Sequence, residues 1–267
     1  MNSLASNSVR SSFVLSCDNN LATVTLLIFV DGCILYWTAS DLWRFCRVAV
    51  RNRKKNYVVS WRDKALANHV DASCLENTQK EADTKMMLHA VNIAARGFKK
   101  LDIYSSDADV LVLVLRRYPL LPTESRLVVG LGSNIRYLNL QKIYQELGPL
   151  KASALPGFHA LSGADVTGAF FGKGKISWWK AFNKTTDDIL QALASLGSSP
   201  VVSEELMQTI EQFVCEVYLP DTKITNIGEL RWWLFAKNNY KVRCFHQRED
   251  LCIMPSCVLN CRLFNGN

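Results

Sequence analysis

Residues 101–115 read Leu-Asp-Ile-Tyr-Ser-Ser-Asp-Ala-Asp-Val-Leu-Val-Leu-Val-Leu, and they give the strongest indication of the architecture. Leu101 to Ser105 is predicted to be a short strand, and residues 106–109 the turn that follows it. Val110 to Leu115 is a continuous apolar run, as a buried element needs. The stretch therefore predicts a strand that ends in an acidic turn and leads into a second buried element.

The segment upstream of this strand has the periodicity of a helix. Within residues 81–96, Met86, Ala90, Ile93 and Ala94 share one face at helical spacing. Gly97 follows as a natural C-terminal cap. A helix, a strand, an acidic turn and a buried run in this order predict an α/β fold with a parallel sheet.

The remaining elements are predicted from shorter signals. Leu21 to Val30 is too short an apolar run to span a bilayer and indicates a buried strand. Residues 23–37 indicate a hairpin with an Asp-Gly turn, and Leu155-Pro156-Gly157 indicates a further turn. The other predicted elements are two strands within 126–140, a helix over 140–148, and amphipathic helices over 185–196 and 203–218.

Three acidic motifs occur in a fixed order along the chain. They are Glu81-Ala82-Asp83 at a helix start, Asp107-Ala108-Asp109 after a strand, and Asp165 in a Gly-bounded loop. Hydrolysis of a phosphodiester is assisted by two divalent ions roughly 4 Å apart, which stabilise the attacking and leaving oxygens. Mg²⁺ and Mn²⁺ prefer oxygen ligands, so converging carboxylates are the donors such a site requires. Taken singly, each motif also has a structural interpretation as a helix cap, a turn or a dipole partner.

A glycine-rich, basic hairpin follows the third acidic motif. Gly172, Lys173, Gly174 and Lys175 follow two phenylalanines and precede an apolar helix. Glycines allow backbone N–H groups to approach a phosphate, and the lysines add positive charge. The alternative is a tight turn with solvated lysines. The spacing after Asp165 favours a nucleic-acid contact.

The order of these motifs resembles the flap-endonuclease branch of the PIN-like nucleases. A closer resemblance, over half to two-thirds of the chain, is to animal proteins associated with transposable elements; it rests on segments 81–90, 106–113 and 159–167 and continues through Phe170 to Lys175. The resemblance implies a PIN-like parallel-sheet core flanked by helices, a helix–hairpin–helix element, a helical C-terminal part, and a structured nucleic-acid substrate. That substrate is DNA or RNA, with DNA favoured. It also implies that Glu81, Asp83, Asp107, Asp109 and Asp165 hold two Mg²⁺ or Mn²⁺ ions, with Asp107, Asp109 and Asp165 as catalytic residues.

Departures from the family's pattern keep two functions open. The first strand of the family carries a further Asp, for which Asp31 in an Asp-Gly pair is the strand-end candidate, and an Asp-Gly pair is first of all a turn signal. If Asp31 is not that residue, the chain is expected to be a fragment that lacks the first strand. Lys80 stands where the group often has an acid, and Ala164 where it often has a Cys. The chain is therefore either a structure-selective, metal-dependent nuclease or a catalytically inactive module that binds nucleic acid or a protein.

Length, charge and cysteine usage indicate the size of the core, the kind of partner and the cellular compartment. A 267-residue chain with net charge +7 and 49% hydrophobic residues is long enough for one substantial core or two small ones, and its charge suits a polyanionic partner. We expect a loose leader over 1–20, the nuclease core over 21–183, a helical extension over 184–240 and a Cys-rich tail over 241–267. Nine irregularly spaced cysteines indicate a reducing intracellular compartment. We expect a nuclear rather than a cytoplasmic location, and no membrane contact.

Three further patterns are ambiguous. Residues 41–64 interleave Trp with Lys and Arg, which suits base stacking but is more typical of a solvated face. His89 and His159 flank two motifs and are left outside the metal ligands. The tail lacks the Cys-x-x-Cys pair that is typical of structural zinc sites. Its candidate zinc ligands are Cys244, His246, Cys252, Cys257 and Cys261.

Overall fold

The computed structural model describes residues 12–17, 23–29, 56–61, 64–67, 71–76, 78, 82–130, 132–164, 170–199 and 201–237. The chain divides into two compact units, Met1–Glu146 and Leu147–Asn267. None of the helices in these described ranges is long and apolar enough to cross a membrane. The predicted domain boundaries, including a core that extends to residue 183, stay predictions.

The first unit is built on a seven-stranded mixed sheet in the order β4-β3-β1-β2-β5-β6-β7. At its centre β2, β5 and β6 are parallel, which confirms the α/β class. The neighbours on either side, β1 on β2 and β7 on β6, are antiparallel. The strands are β1 (Ser12–Cys17), β2 (Thr23–Phe29), β3 (Asn56–Trp61), β4 (Lys64–Ala67), β5 (Lys100–Tyr104), β6 (Glu124–Val129) and β7 (Arg136–Asn139).

The N-terminal region differs from the sequence expectation. Ser12–Cys17 lies in the segment expected to be a loose leader, and it forms β1. The strand expected within Leu21 to Val30 is confirmed as β2. The antiparallel partner of β2 is the upstream strand β1; the second half of the hairpin predicted over 23–37, and most of the basic segment 41–64, lie outside the described residues.

Helix α1 (Ala82–Ala95) precedes β5, and its predicted buried face is confirmed. Met86, Ala90 and Ile93 are buried, and Gly97 takes the left-handed conformation with φ of +82° just after the helix. Only glycine adopts this conformation without steric cost, so the position ends the helix. The predicted C-terminal cap is therefore present.

Helix α2 (Ala108–Arg117) follows β5 and contains the apolar run Val110 to Leu115. All of these residues except Leu111 are buried, as expected of a helix that is apolar on nearly every face. The predicted acidic turn is the start of this helix. Further along the chain, the predicted strands within 126–140 are β6 and β7, and the predicted helix over 140–148 is α3 (Leu140–Leu147).

The second unit is helical over its described residues. Its helices are α4 (Pro149–Leu161), α5 (Lys175–Lys184), α6 (Asp187–Ser195), α7 (Glu204–Tyr218) and α8 (Ile227–Ala236). Helices α6 and α7 confirm the predictions over 185–196 and 203–218. An aromatic cluster fills the interior: the ring centroids of Phe158 and Phe182 are 4.6 Å apart, and those of Trp178 and Phe213 are 5.5 Å apart.

The predicted turn at Leu155-Pro156-Gly157 is wrong, because all three residues lie inside α4. Pro156 removes one backbone donor and disfavours a helix interior. Every residue from Ala154 to Leu161 is buried, so packing outweighs this local preference. Gly157 permits close packing: a Cβ at this position would overlap the carbonyl oxygen of Leu193 on α6.

Candidate metal centre and nucleic-acid interface

The acidic motifs of the first unit are positioned by the central parallel strands. Neighbouring parallel strands end at the same edge of a sheet, where sites of α/β proteins collect. Helix α1 precedes β5 in the chain and α2 follows it. A helix that connects to a parallel strand runs back along it, so the amino-terminal ends of both helices lie at the carboxyl end of β5. The two helices also contact each other. Asp83, Asp107 and Asp109 therefore belong to one edge of the sheet, which we call the acidic edge.

Asp107 is the N-cap of α2. One of its carboxylate oxygens accepts a hydrogen bond from the Asp109 backbone N–H at 2.9 Å. Its own backbone N–H donates to the Ser105 hydroxyl at 3.1 Å. The residue is exposed, so the second carboxylate oxygen can reach solvent or a ligand. Capping and ligand binding are thus compatible, because they use different oxygens.

Asp83 and Asp109 lie in the first turns of α1 and α2. Both residues are half-buried. Carboxylates near a helix amino terminus are stabilised by the helix dipole. Each helix start at the acidic edge therefore carries a favourably placed negative charge.

Glu81 and Asp165 lie outside the described residues, as does Asp31. Within the described part of the chain, no group of three or more His, Cys, Asp or Glu side chains is close enough together to hold a metal ion. The described carboxylates thus share an edge without forming a complete ligand set. The five cysteine and histidine candidates for zinc, residues 244–261, also lie outside the described residues.

His89 is buried one helical turn after Lys85 on α1. Burial, together with the positive charges of Lys85 and Arg96, lowers the pKa of the imidazole from 6.5 to about 4. The ring is therefore neutral at physiological pH. His159 is buried in α4. Both histidines have interior positions, and neither belongs to a described metal group.

The basic hairpin lies at the start of α5. Gly172 has φ of +70°, and Gly174 is the N-cap of the helix. Lys173 packs against the end of α7: its ammonium donates to the carbonyl oxygen of Tyr218 at 3.3 Å and lies 5.2 Å from the ring centroid. Burial lowers the pKa of Lys173 below its ordinary value. Lys175, by contrast, is exposed.

The exposed surface around α5 combines lysines with large hydrophobic side chains. Residues 170–186 contain four lysines and no Asp or Glu. Phe171, Ile176 and Trp179 are exposed large hydrophobic residues beside these charges. The sequence identified the lysines of the hairpin but not the exposed aromatic and aliphatic residues. Phe171 and Trp179 each directly follow a buried aromatic residue, Phe170 and Trp178, and residue type alone does not tell the exposed member of such a pair from the buried one.

Comparisons with protein-family models, with curated proteins and with solved structures found no match to this chain.

Proposed function

We propose that this chain is a metal-dependent nuclease with a PIN-like core that hydrolyses phosphodiester bonds in structured nucleic acid, DNA in preference to RNA. Glu81, Asp83, Asp107, Asp109 and Asp165 are the proposed ligands of two Mg²⁺ or Mn²⁺ ions. Asp107, Asp109 and Asp165 are the proposed catalytic residues. With DNA as the favoured substrate, the proposed location is nuclear rather than cytoplasmic.

The observation that carries this proposal is the topology of β5 and its two helices. Asp83, Asp107 and Asp109 come from two separate sequence motifs, and the fold assigns all three to the acidic edge. Helix amino termini in an α/β unit gather at this edge and favour acids there, so capping alone also brings carboxylates to it. A metal site requires the same placement, and these three carboxylates meet that requirement.

The chemistry of the donors fits a hard divalent ion. All of the proposed ligands are carboxylates, which Mg²⁺ and Mn²⁺ prefer. Such ions supply charge stabilisation to the attacking and leaving oxygens of the displacement. The exposed Asp107 contributes an oxygen that the helix cap does not use.

The position of β2 supports Asp31 as a further ligand. β2 is the parallel neighbour of β5, with Leu26 opposite Ile103. Asp31 follows the last residue of β2 by two positions in the sequence. If β2 is the first strand that the family pattern requires, Asp31 is the carboxylate that follows it.

The hairpin supplies the proposed contact to the nucleic-acid backbone. Lys175 is exposed and the amides next to Gly174 begin a helix, where anions are favoured. Gly172 and Gly174 leave open space, since a Cβ at either position would meet no atom within 4 Å. Lys173 would stabilise the hairpin through Tyr218 while adding its charge.

The test is cleavage of branched and single-stranded DNA by the whole chain, with Mn²⁺ and with EDTA. The variant is Asp107→Asn, because asparagine also caps a helix and only the carboxylate charge is lost. The control is Asp71→Asn: Asp71 likewise accepts a bond from a backbone N–H two residues later, at 2.9 Å, but lies before α1. We expect Mn²⁺-dependent cleavage that Asp107→Asn abolishes and Asp71→Asn retains.

A binding module without cleavage is the second candidate. The basic, apolar surface of α5 favours it, because lysines beside exposed aromatic rings suit a nucleic-acid strand. The same experiment separates the two. DNA binding that is unaffected by Mn²⁺, EDTA and Asp107→Asn, with no cleavage, would contradict the nuclease proposal and support the binding module.

A further inference from the structure

The basic hairpin has a glycine on each side of Lys173. Gly172 has φ of +70°, and Gly174 is the N-cap of α5. Within the hairpin, the Lys173 backbone N–H donates to the Phe170 carbonyl oxygen at 3.2 Å. Two glycines within three residues give this segment many accessible backbone conformations. A single conformation therefore requires contacts from outside the hairpin.

Tyr218, the last residue of α7, supplies such contacts with three of its groups. Its hydroxyl donates to the Phe171 carbonyl oxygen at 2.7 Å. Its own carbonyl oxygen accepts from the Lys173 ammonium at 3.3 Å, and this ammonium lies 5.2 Å from the centroid of the tyrosine ring. Tyr218 thus holds the residues on both sides of Gly172.

The end of α7 is a favourable place for the Lys173 ammonium. The last carbonyl groups of a helix have no partner within the helix, and the helix dipole favours a cation beside them. The face of the tyrosine ring attracts the same cation. Lys175, two residues later, is exposed, so its charge is accessible to a phosphate group.

Helix α7 also supports the elements that flank the hairpin. The ring centroid of Trp178 on α5 lies 5.5 Å from that of Phe213 on α7. The same Trp178 ring lies 5.3 Å from Phe170, the residue that begins the hairpin turn. The hairpin and the start of α5 are therefore held against one helix, and Tyr218 is the residue of that helix that contacts the hairpin backbone.

We propose that Tyr218 is a positioning residue: it holds the hairpin amides and Lys175 in the arrangement that binds the phosphates of the nucleic acid, without contacting the nucleic acid itself. A site that already has its bound conformation binds more tightly, because binding then adds no cost of ordering. This inference rests on the proposed contact between the hairpin and nucleic acid, although the contacts of Tyr218 with the hairpin do not.

The first experiment measures amide hydrogen exchange of residues 170–175 in the whole chain. Tyr218→Phe keeps the ring and the backbone carbonyl and removes only the bond to Phe171. We expect exchange in the hairpin to become about 2–10-fold faster, the factor that one net hydrogen bond contributes. Tyr118→Phe is the matched control: its hydroxyl also donates to a backbone carbonyl, that of Thr123 at 3.0 Å, in the first unit. It should leave exchange in the hairpin unchanged.

The second experiment measures binding of the branched DNA in EDTA over a range of salt concentrations. Tyr218→Phe should raise the Kd by about 2–10-fold at every salt concentration, because the ordering cost does not depend on salt. Lys175→Met should instead reduce the slope of log K against log salt concentration by about 1, as the loss of one phosphate contact does. Tyr118→Phe should retain the wild-type Kd and slope.

The outcomes separate this inference from the proposed function. Faster exchange together with weaker binding at an unchanged slope supports the positioning role. An unchanged exchange rate in Tyr218→Phe, or faster exchange with the wild-type Kd, would overturn that role while DNA binding itself stands. A wild-type chain that binds no DNA would contradict the proposed function, and with it any role of Tyr218 in binding.

Discussion

At the scale of single residues, Asp107 has a structural role and a proposed chemical role that can be measured separately. Its carboxylate caps α2 through the Asp109 N–H. We expect Asp107→Ala to lower the free energy of unfolding by about 1 kcal/mol, and Asp107→Asn by only a few tenths, because asparagine caps equally well. Urea denaturation of the two variants checks this. Equal losses would show that the carboxylate charge, and not the cap, stabilises the helix.

His89 makes the stability of the first unit depend on pH. Its folded pKa of about 4 is below its ordinary value of 6.5. Between these two values the unfolded chain binds more protons than the folded chain, so stability rises with pH. The contribution is present above pH 6.5 and is lost as the pH falls towards 4. The loss amounts to about 3 kcal/mol, since one pKa unit corresponds to about 1.4 kcal/mol.

The measurement is urea denaturation at pH 7.5 and pH 4.5. We expect His89→Gln to reduce the stability difference between these two pH values, because glutamine does not titrate. Leu88→Gln, an exposed position on the same helix, is the control and should keep the wild-type difference. A His89→Gln difference as large as the wild-type one would show that other groups cause the acid sensitivity.

At the scale of elements, the contact between α4 and α6 depends on Gly157. A methyl group at this position would overlap the Leu193 carbonyl, and backbone cannot move aside as a flexible side chain does. We expect Gly157→Ala to destabilise the protein by about 1–3 kcal/mol. Gly174→Ala is the comparison variant: its φ is −79° and its Cβ would meet open space, so it should lose only the N-cap preference of glycine over alanine, under about 1 kcal/mol. Similar midpoints for both variants in chemical denaturation would refute the close approach.

The strands β5 and β6 are joined by two ion pairs of different kinds. Arg126 binds Asp102 through two bonds of 2.7 Å, and the Asp102 side chain is only 10% exposed. Lys100 and Glu124 form a more exposed pair at 3.2 Å. Arg126→Met should cost about 1–3 kcal/mol, because it leaves a buried carboxylate without its donor. Lys100→Met should cost under about 1 kcal/mol, as surface pairs contribute little. A double-mutant cycle on each pair measures its coupling free energy. Equal coupling free energies for the two pairs would show that burial of the carboxylate does not determine the contribution of the ion pair.

At the scale of the whole molecule, each compact unit buries its own core. Leu101 and Ile103 on β5 are buried in the first unit, and Trp178 and Phe182 on α5 in the second. We therefore expect scanning calorimetry of the whole chain to resolve two transitions. Arg126→Met should lower one of them and Gly157→Ala the other. A single transition that both variants lower by the same amount would show that the units unfold as one.

Much of the architecture was predictable, because periodicity reports local burial. The spacing of Met86, Ala90 and Ile93 predicted α1, and Gly97 predicted its end. The acidic and apolar stretch from Leu101 predicted β5 and a second buried element. The position of Pro156 inside a helix was not predictable, because its turn signal is local and the packing that outweighs it is not.

The sequence by itself determined which carboxylates are candidates, the order in which they occur and the α/β class, since each of these follows from residue type and local spacing. Only the tertiary structure decided that β2 is the parallel neighbour of β5, that Lys173 packs on Tyr218, and that Lys85 in α1 is buried. Strand pairing and burial depend on contacts between residues far apart in the chain. The preference of a short segment contains no information about such partners.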